Sequence, residues 1–115
     1  MYKELVMTTE RHQFIVKAIS QKAREIAPKG SQVILFGSQA RGDAHDSSDW
    51  DVLVLLDKEH ITPQDMDEYS YPFWEMGLDY NESINAILYT LKDWKHDSAS
   101  PFVRNVNKEG IRLWG

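Results

Sequence analysis

Residues 33–57 read VILFGSQARGDAHDSSDWDVLVLLD, and this stretch decides the predicted fold. One apolar run ends on Gly37 and Ser38, a polar segment follows, and Asp49 and Asp51 lead into a second apolar run. Side chains two positions apart on a strand lie on the same face, so the two carboxylates are predicted to point together. Such a pair can bind a divalent cation, which neutralises the oxygens of a nucleoside triphosphate.

The gap between the two halves of this stretch is informative. Ten residues separate Ser38 from Asp49, and one residue separates Asp49 from Asp51. This spacing resembles the signature of the DNA-polymerase-β-like nucleotidyltransferase superfamily. The run GSQARG that begins at Gly37, followed by the acidic pair, is similar more narrowly to the minimal nucleotidyltransferases (MNT) of bacteria and archaea. The resemblance is dense over residues 33–57 and diffuse elsewhere.

The Gly-Ser turn is predicted to contact phosphate. Gly37 lacks a Cβ, so the backbone can approach an anion closely, and Ser38 offers a hydroxyl and an amide. If Ser38, Gln39 and Ala40 open a helix, their free N–H groups point at an anion placed there. The resemblance assigns triphosphate binding to Gly37 and Ser38, and the alternative is a tight turn with a capping serine.

Two further residues of the motif are expected to help bind the nucleotide. Arg41 either contacts phosphate or stabilises the loop by pairing with Asp43, Asp46 or Asp49, and both alternatives stay open. Ser48 is counted among the nucleotide-binding residues and is expected to fix the start of the second strand through its hydroxyl.

Asp49 and Asp51 are the predicted catalytic residues and the predicted Mg²⁺ ligands. Residues 52–56 are all apolar, which is typical of an inner strand. A carboxylate at the start of such a strand must be paired, hydrogen-bonded or bound to metal. The alternative is a salt bridge to Arg41. Asp57 is too far along the strand to share the site.

A third carboxylate is what the resemblance implies on a neighbouring strand, where it completes a two-metal site. The corresponding segment is ESINAILY, and Asn85 falls about where that acid is expected. Asparagine offers a carbonyl oxygen but no charge. Glu82 is the other candidate ligand, although regular alternation places residues 82 and 85 on opposite faces.

The remaining patterns predict the other elements of an α/β (α+β) nucleotidyltransferase fold. Its mixed sheet of about four strands is flanked by three helices, in a single domain over residues 1–115. The strands are predicted at 31–36, 51–56, 82–91 and 111–114. The helices are predicted to begin at Thr8 or Thr9, Thr62 and Ser100, and to end near Pro28, Gly77 and Gly110. Pro72 is expected to kink or divide the second helix.

An aromatic cluster lies on this second helix, formed by Tyr69, Tyr71, Phe73 and Trp74. These rings could stack a nucleotide base, and packing in the core or at an interface is the competing interpretation.

Composition narrows the class of protein. The chain has 115 residues, of which 42% are hydrophobic and 27% charged, as in soluble globular domains. There are no cysteines, which excludes disulfides and thiolate zinc sites. The net charge of −5 argues against binding of a long nucleic acid. Neither a signal peptide nor a membrane span is recognisable, so a cytoplasmic location is expected.

The leading hypothesis is a Mg²⁺-dependent nucleotidyltransferase that moves a nucleoside monophosphate, AMP from ATP, to an acceptor. The resemblance to minimal nucleotidyltransferases implies that the acceptor is a partner protein of the higher-eukaryote-and-prokaryote nucleotide-binding (HEPN) family, in a toxin–antitoxin pair. The alternative is a catalytically weak or inactive nucleotide-binding module that masks a partner protein. Antibiotic-modifying nucleotidyltransferases share the motif but normally carry an additional domain. A homo-oligomer is left open.

Overall fold

The structure is a computed structural model that describes residues 2–45 and 48–115, with side chains from Glu10 onward. The strands are β1 (Gln32–Phe36), β2 (Trp50–Leu56), β3 (Ile84–Thr90) and β4 (Ile111–Trp114). The helices are α1 (Tyr2–Ile26), α2 (Ser38–Arg41), α3 (Pro63–Asp65), α4 (Tyr71–Asp79), α5 (Leu91–His96) and α6 (Pro101–Glu109). A π-helical segment, Met66–Ser70, joins α3 to α4. Among the described residues, no helix combines the length and the apolar character needed to cross a bilayer.

The four strands form one mixed sheet in the order β3-β2-β1-β4. Strand β1 is antiparallel to β2 and to β4, whereas β2 and β3 are parallel. The predicted mixed sheet of four strands is therefore confirmed. The register places Phe36 opposite Asp51 on one side of β2 and Asn85 beside Asp51 on the other.

Both faces of β2 are covered, which explains why its sequence is apolar without alternation. Val52 and Val54 belong to a core cluster with residues of α1 and α4. Leu53 and Leu55 belong to a second cluster with Trp94 of α5 and two valines of α6. Burial of each such aliphatic side chain stabilises the fold by roughly 1.5–3 kcal/mol. Asp51, the second residue of β2, pairs with Phe36 at the end of β1 and is only partly buried.

Two predicted helix starts are supported by their caps. The side chain of Thr62 accepts a hydrogen bond from the amide of Asp65 (3.2 Å), and the Asp65 carboxylate accepts one from the amide of Thr62 (2.9 Å). This reciprocal pair is a capping box, and it confirms the predicted helix start at Thr62. Ser100 caps α6 in the same way, by accepting a hydrogen bond from the amide of Val103 at 3.2 Å.

Other helix predictions need correction. Helix α1 begins at Tyr2, so the predicted start at Thr8 or Thr9 is wrong. The preceding run KELVM consists mostly of good helix formers, which extend the helix towards its N-terminus. Helix α5 was not predicted, because its polar sequence hides the one buried side chain, Trp94, that docks it on the sheet. Pro72 lies in the first turn of α4, directly after the π-helical segment, where a missing N–H is tolerated.

Candidate active site

The turn after β1 depends on Gly37. Its backbone has φ 78° and ψ −161°, which places φ in the region that favours glycine. A Cβ added at Gly37 would lie 2.5 Å from Oδ2 of Asp51. The missing side chain therefore leaves the space in which the Asp51 carboxylate lies against the turn.

Helix α2 begins at Ser38, as the anion-binding hypothesis requires. The amides of Ala40 and Arg41 both donate to the carbonyl of Gly37 at 3.0 Å. The Ala40 amide is thus already used, and this part of the prediction is wrong. In the described backbone, no acceptor is bonded to the amides of Ser38 and Gln39. These two N–H groups are the ones available to an anion at the start of the helix.

Asp49 and Asp51 are two positions apart, and their charges interact. Burial raises the pKa of the Asp51 carboxyl, the negative charge of Asp49 raises it further, and the positive charge of Arg41 partly opposes both effects. Within the described part of the chain, no side chain forms a hydrogen bond or an ion pair with either carboxylate. Two adjacent carboxylates that lack a basic partner and repel each other fit a hard divalent cation such as Mg²⁺.

Arg41 stabilises the loop rather than pairing with the acidic pair. Its Nε donates to Asp43 at 3.1 Å, and its Nη1 donates to Glu109 of α6 at 3.3 Å. Asp46, another predicted partner, lies outside the described residues. The contact with Glu109 joins positions 68 apart in the chain, and no local pattern signals it. Arg41 still acts on the site through its charge, which lowers the pKa of Asp51.

The two candidate third ligands lie in different places. Asn85 is next to Asp51 in the parallel register, and its Nδ2 donates to the hydroxyl of Ser83 at 3.4 Å. Glu82 instead accepts hydrogen bonds from Arg11 and from the indole of Trp50, whose side chain is in the core cluster on the other face. The geometry brings Asn85, and not Glu82, to the acidic pair. Among the described residues, no group of three acids or histidines is arranged to hold a metal ion.

Ser48 shapes the segment that precedes Asp49. Its hydroxyl accepts a hydrogen bond from the amide of His45 at 2.9 Å. The predicted roles of Ser48 in fixing the start of the strand and in binding nucleotide stay predictions. Gln39 is a residue that the sequence argument missed. It is buried, and its side-chain amide donates to the backbone carbonyl of Ser48 at 3.3 Å. The backbone carbonyl of Gln39 is bonded to His12 Nε2 at 2.8 Å. A glutamine in a four-residue helix carries no pattern that would have identified it.

The aromatic cluster divides into two parts. Phe73 is in the core, and Tyr69 packs against that core. Tyr71 and Trp74 are 53% and 41% exposed, and they line a recess of about 290 Å³ that also includes Asn85. Core packing thus accounts for two of the rings, and the other two border a recess that Asn85 also lines.

Relatives of this chain carry names that agree with the geometry. Two proteins of Methanocaldococcus jannaschii are named as candidate protein adenylyltransferases. One is 31% identical over 103 residues, which cover 86% of this chain and 98% of the relative. The other is 33% identical over 99 residues, which cover 86% of this chain and 90% of the relative.

Solved structures share the fold. A crystal structure of a toxin–antitoxin with AMP-PNP superposes with a TM-score of 0.61 at 24% identity, over 87% of this chain and 73% of that one. A nucleotidyltransferase structure from Sulfolobus solfataricus gives a TM-score of 0.55 at 21% identity, over 92% and 85% of the two chains. The family model of the nucleotidyltransferase domain matches residues 16–110. The chain therefore belongs to the nucleotidyltransferase domain family.

Proposed function

We propose that the protein transfers AMP from ATP to a hydroxyl group of a partner protein in a Mg²⁺-dependent reaction. One observation carries this proposal: the Asp51 carboxylate lies against the Gly37 turn, its charge interacts with that of Asp49, and no described basic side chain forms a salt bridge or hydrogen bond with it. The names of the two archaeal relatives support a protein as the acceptor. The toxin–antitoxin neighbour supports an assembly with a second protein, for which we propose a HEPN partner.

Each residue of the motif has a role in this proposal. Asp49 and Asp51 hold the cation, with the Asn85 oxygen as a neutral third ligand. Gly37 and Ser38 position the β and γ phosphates through the close backbone and the free amides. The cation supplies charge neutralisation for the triphosphate and for the attacking oxygen. Catalysis then rests on positioning and electrostatic stabilisation, as is usual in phosphoryl-type chemistry.

The bonds in the proposed step balance without a further reactant. The acceptor oxygen bonds to the α-phosphorus, the bond from that phosphorus to the α,β-bridging oxygen breaks, and pyrophosphate leaves. The acceptor proton passes to water or to a carboxylate of the acidic pair, because the described part of the site holds no other base.

Transfer of the labelled α-phosphate tests the proposal. The protein is incubated with Mg²⁺, α-labelled ATP and a HEPN-family protein as the proposed partner, with γ-labelled ATP as the control. We expect the partner to be labelled by α-labelled ATP and not by γ-labelled ATP. The Asp49→Ala variant should not label the partner with either. Label that persists in Asp49→Ala would remove the acidic pair from the mechanism.

A second candidate function is supported by Asn85. An amide occupies the position beside Asp51, so the pair lacks a third negative charge for a second metal ion. In this alternative the protein binds nucleotide and masks its partner without transfer. Calorimetry with Mg·ATP and a pyrophosphate assay separate the two functions. Tight binding without pyrophosphate release over hours favours the binding module, and measurable release in the presence of the partner favours transfer.

A further inference from the structure

Trp50 stands between the two acids in the chain, and its side chain is turned to the opposite face. It is 2% exposed and packs in the core cluster with Val52 and Ile84. Its indole Nε1 donates a hydrogen bond to Oε1 of Glu82 at 3.1 Å. The residue that separates the two acids is therefore fixed by both packing and a directed hydrogen bond.

Glu82 is itself held in place by α1. Its Oε2 accepts from Nη2 of Arg11 at 2.8 Å and from Nε at 3.2 Å, whereas its Oε1 accepts from Trp50. Arg11 also donates to the carbonyl of Tyr80, next to the start of β3. The Glu82 side chain is only 16% exposed, but that of Arg11 is 48% exposed, so water screens this ion pair from the Arg11 side. The acid that sequence reasoning offered as a metal ligand is thus engaged on the far side of the sheet.

The other side of the Trp50 ring faces His12. The two ring centroids are 5.0 Å apart, with an angle of 36° between the planes. His12 Nε2 is bonded to the carbonyl of Gln39, and the Gln39 side chain donates to the carbonyl of Ser48. Helix α1 therefore contacts α2 directly, and Gln39 connects it to the segment that leads into Asp49.

We propose that Trp50 is a positioning residue, held by Glu82 and Arg11, that directs Asp49 and Asp51 towards the cation. Trp50 is the first residue of β2, Asp51 follows it in the strand, and Asp49 directly precedes it. A shift of the backbone at residue 50 would therefore displace both acids through the peptide bonds that they share with it. Loss of the indole hydrogen bond would let this shift occur and misalign the pair of ligands. Mutation of residues that orient metal ligands without binding the metal themselves commonly changes metal affinity by 10–100-fold. This inference rests on the proposed function, because it presumes a cation at the acidic pair.

Trp94 provides a matched control for a substitution at Trp50. It is also buried, at 7% exposure, and its indole Nε1 donates one hydrogen bond to a side chain, Asn107 Oδ1, at 3.3 Å. It lies in the second core cluster, on α5. Trp50→Phe and Trp94→Phe each remove one indole N–H and leave an aromatic ring, so general destabilisation should be similar in both.

The test measures Mn²⁺ binding to the full chain by electron paramagnetic resonance, and urea unfolding of the same samples. We expect Trp50→Phe to weaken Mn²⁺ binding by about 10-fold. Trp94→Phe should keep the wild-type Mn²⁺ affinity, although its urea unfolding midpoint should fall as much as that of Trp50→Phe. Equal Mn²⁺ affinity in the wild type and Trp50→Phe overturns the proposal, and so does an equal loss in both tryptophan variants.

Glu82 gives a second test, which also serves if Trp50→Phe does not fold. Glu82→Leu should weaken Mn²⁺ binding as Trp50→Phe does, and Glu82→Gln, which keeps an oxygen for the indole, should bind more tightly than Glu82→Leu. Wild-type affinity in Glu82→Leu overturns the positioning role. No Mn²⁺ binding by the wild type overturns the metal site itself, an outcome that is distinct because it appears before any substitution.

Discussion

The carboxylate of Asp51 lies so close to Gly37 that a Cβ on the glycine would be 2.5 Å from Oδ2. The two residues are far apart in the motif, and the antiparallel pairing of Phe36 with Asp51 brings them together. The glycine turn and the acidic strand therefore form one site, because a side chain at residue 37 would displace the Asp51 carboxylate.

Gly37→Ala should damage the site more than it damages the fold. Gly42 (φ 86°, ψ 12°) lies in the left-handed helical region, where alanine costs about 1–2 kcal/mol of stability. Gly37 (φ 78°, ψ −161°) lies in a region that is essentially restricted to glycine, so alanine costs more stability there. The Gly42 position has no heavy atom within 4 Å of an added Cβ, which makes Gly42→Ala the control. We expect a lower thermal unfolding midpoint in Gly37→Ala than in Gly42→Ala, and a loss of Mg·ATP affinity, measured by calorimetry below both midpoints, in Gly37→Ala alone. Equal Mg·ATP affinities of the two variants would show that the Gly37 turn does not belong to the same binding site as the acidic pair.

Asp51→Asn should abolish transfer and stabilise the metal-free protein. Loss of a charged group at the reacting centre reduces the transfer rate by roughly 10²–10³-fold. The unfolding midpoint without metal should rise, because the ionised Asp51 is desolvated and repelled by Asp49. Asp57→Asn, at an exposed position just beyond the other end of β2, is the control and should leave the transfer rate unchanged. A fall in the metal-free midpoint of Asp51→Asn would contradict this electrostatic account.

Cation binding should weaken as the pH falls. The pKa of Asp51 is raised above its ordinary value of 3.8 in the folded state, chiefly by burial and then by Asp49. The folded protein thus binds this proton more tightly than the unfolded chain, and the stability gained from protonation is lost as pH rises through the folded pKa. A proton competes with the cation, so Mn²⁺ affinity should decline at a higher pH than for an ordinary carboxylate. Titrations at several pH values check this, and Asp49→Asn should move the decline to lower pH.

Asn85→Asp should strengthen the metal site at a cost in stability. The new carboxylate would stand beside Asp51 in the parallel register and add the missing charge. We expect tighter Mn²⁺ binding and faster transfer, together with a lower unfolding midpoint without metal, because three like charges would then be close. Unchanged Mn²⁺ binding in Asn85→Asp would show that residue 85 does not face the cation.

The sheet and the motif could be predicted because their signals are local. The apolar run of β2, the glycine before α2 and the paired acids each occupy a few consecutive residues. The capping box at Thr62 and Asp65 is equally local. The start of α1 was misplaced because a threonine cap competed with a run of good helix formers before it.

What sequence reasoning missed depends on contacts between distant residues. Arg41 pairs with Glu109, and Trp50 pairs with Glu82, across 68 and 32 positions of the chain. Gln39 connects α1 to the segment before Asp49, but a single polar residue gives no periodic signal. Regular strand alternation predicted that Glu82 and Asn85 lie on opposite faces of the sheet. Only the parallel register of β2 and β3 shows that Asn85 is the one beside Asp51.

Calorimetric titration with α,β-methylene-ATP tests the central claim most directly, because this analogue resists cleavage of the bond that transfer would break. The account predicts binding to the wild-type protein with Mg²⁺, and loss of that binding with EDTA or in the Asp49→Asn, Asp51→Asn double variant. Binding of equal affinity in EDTA, or in the folded double variant, would contradict it.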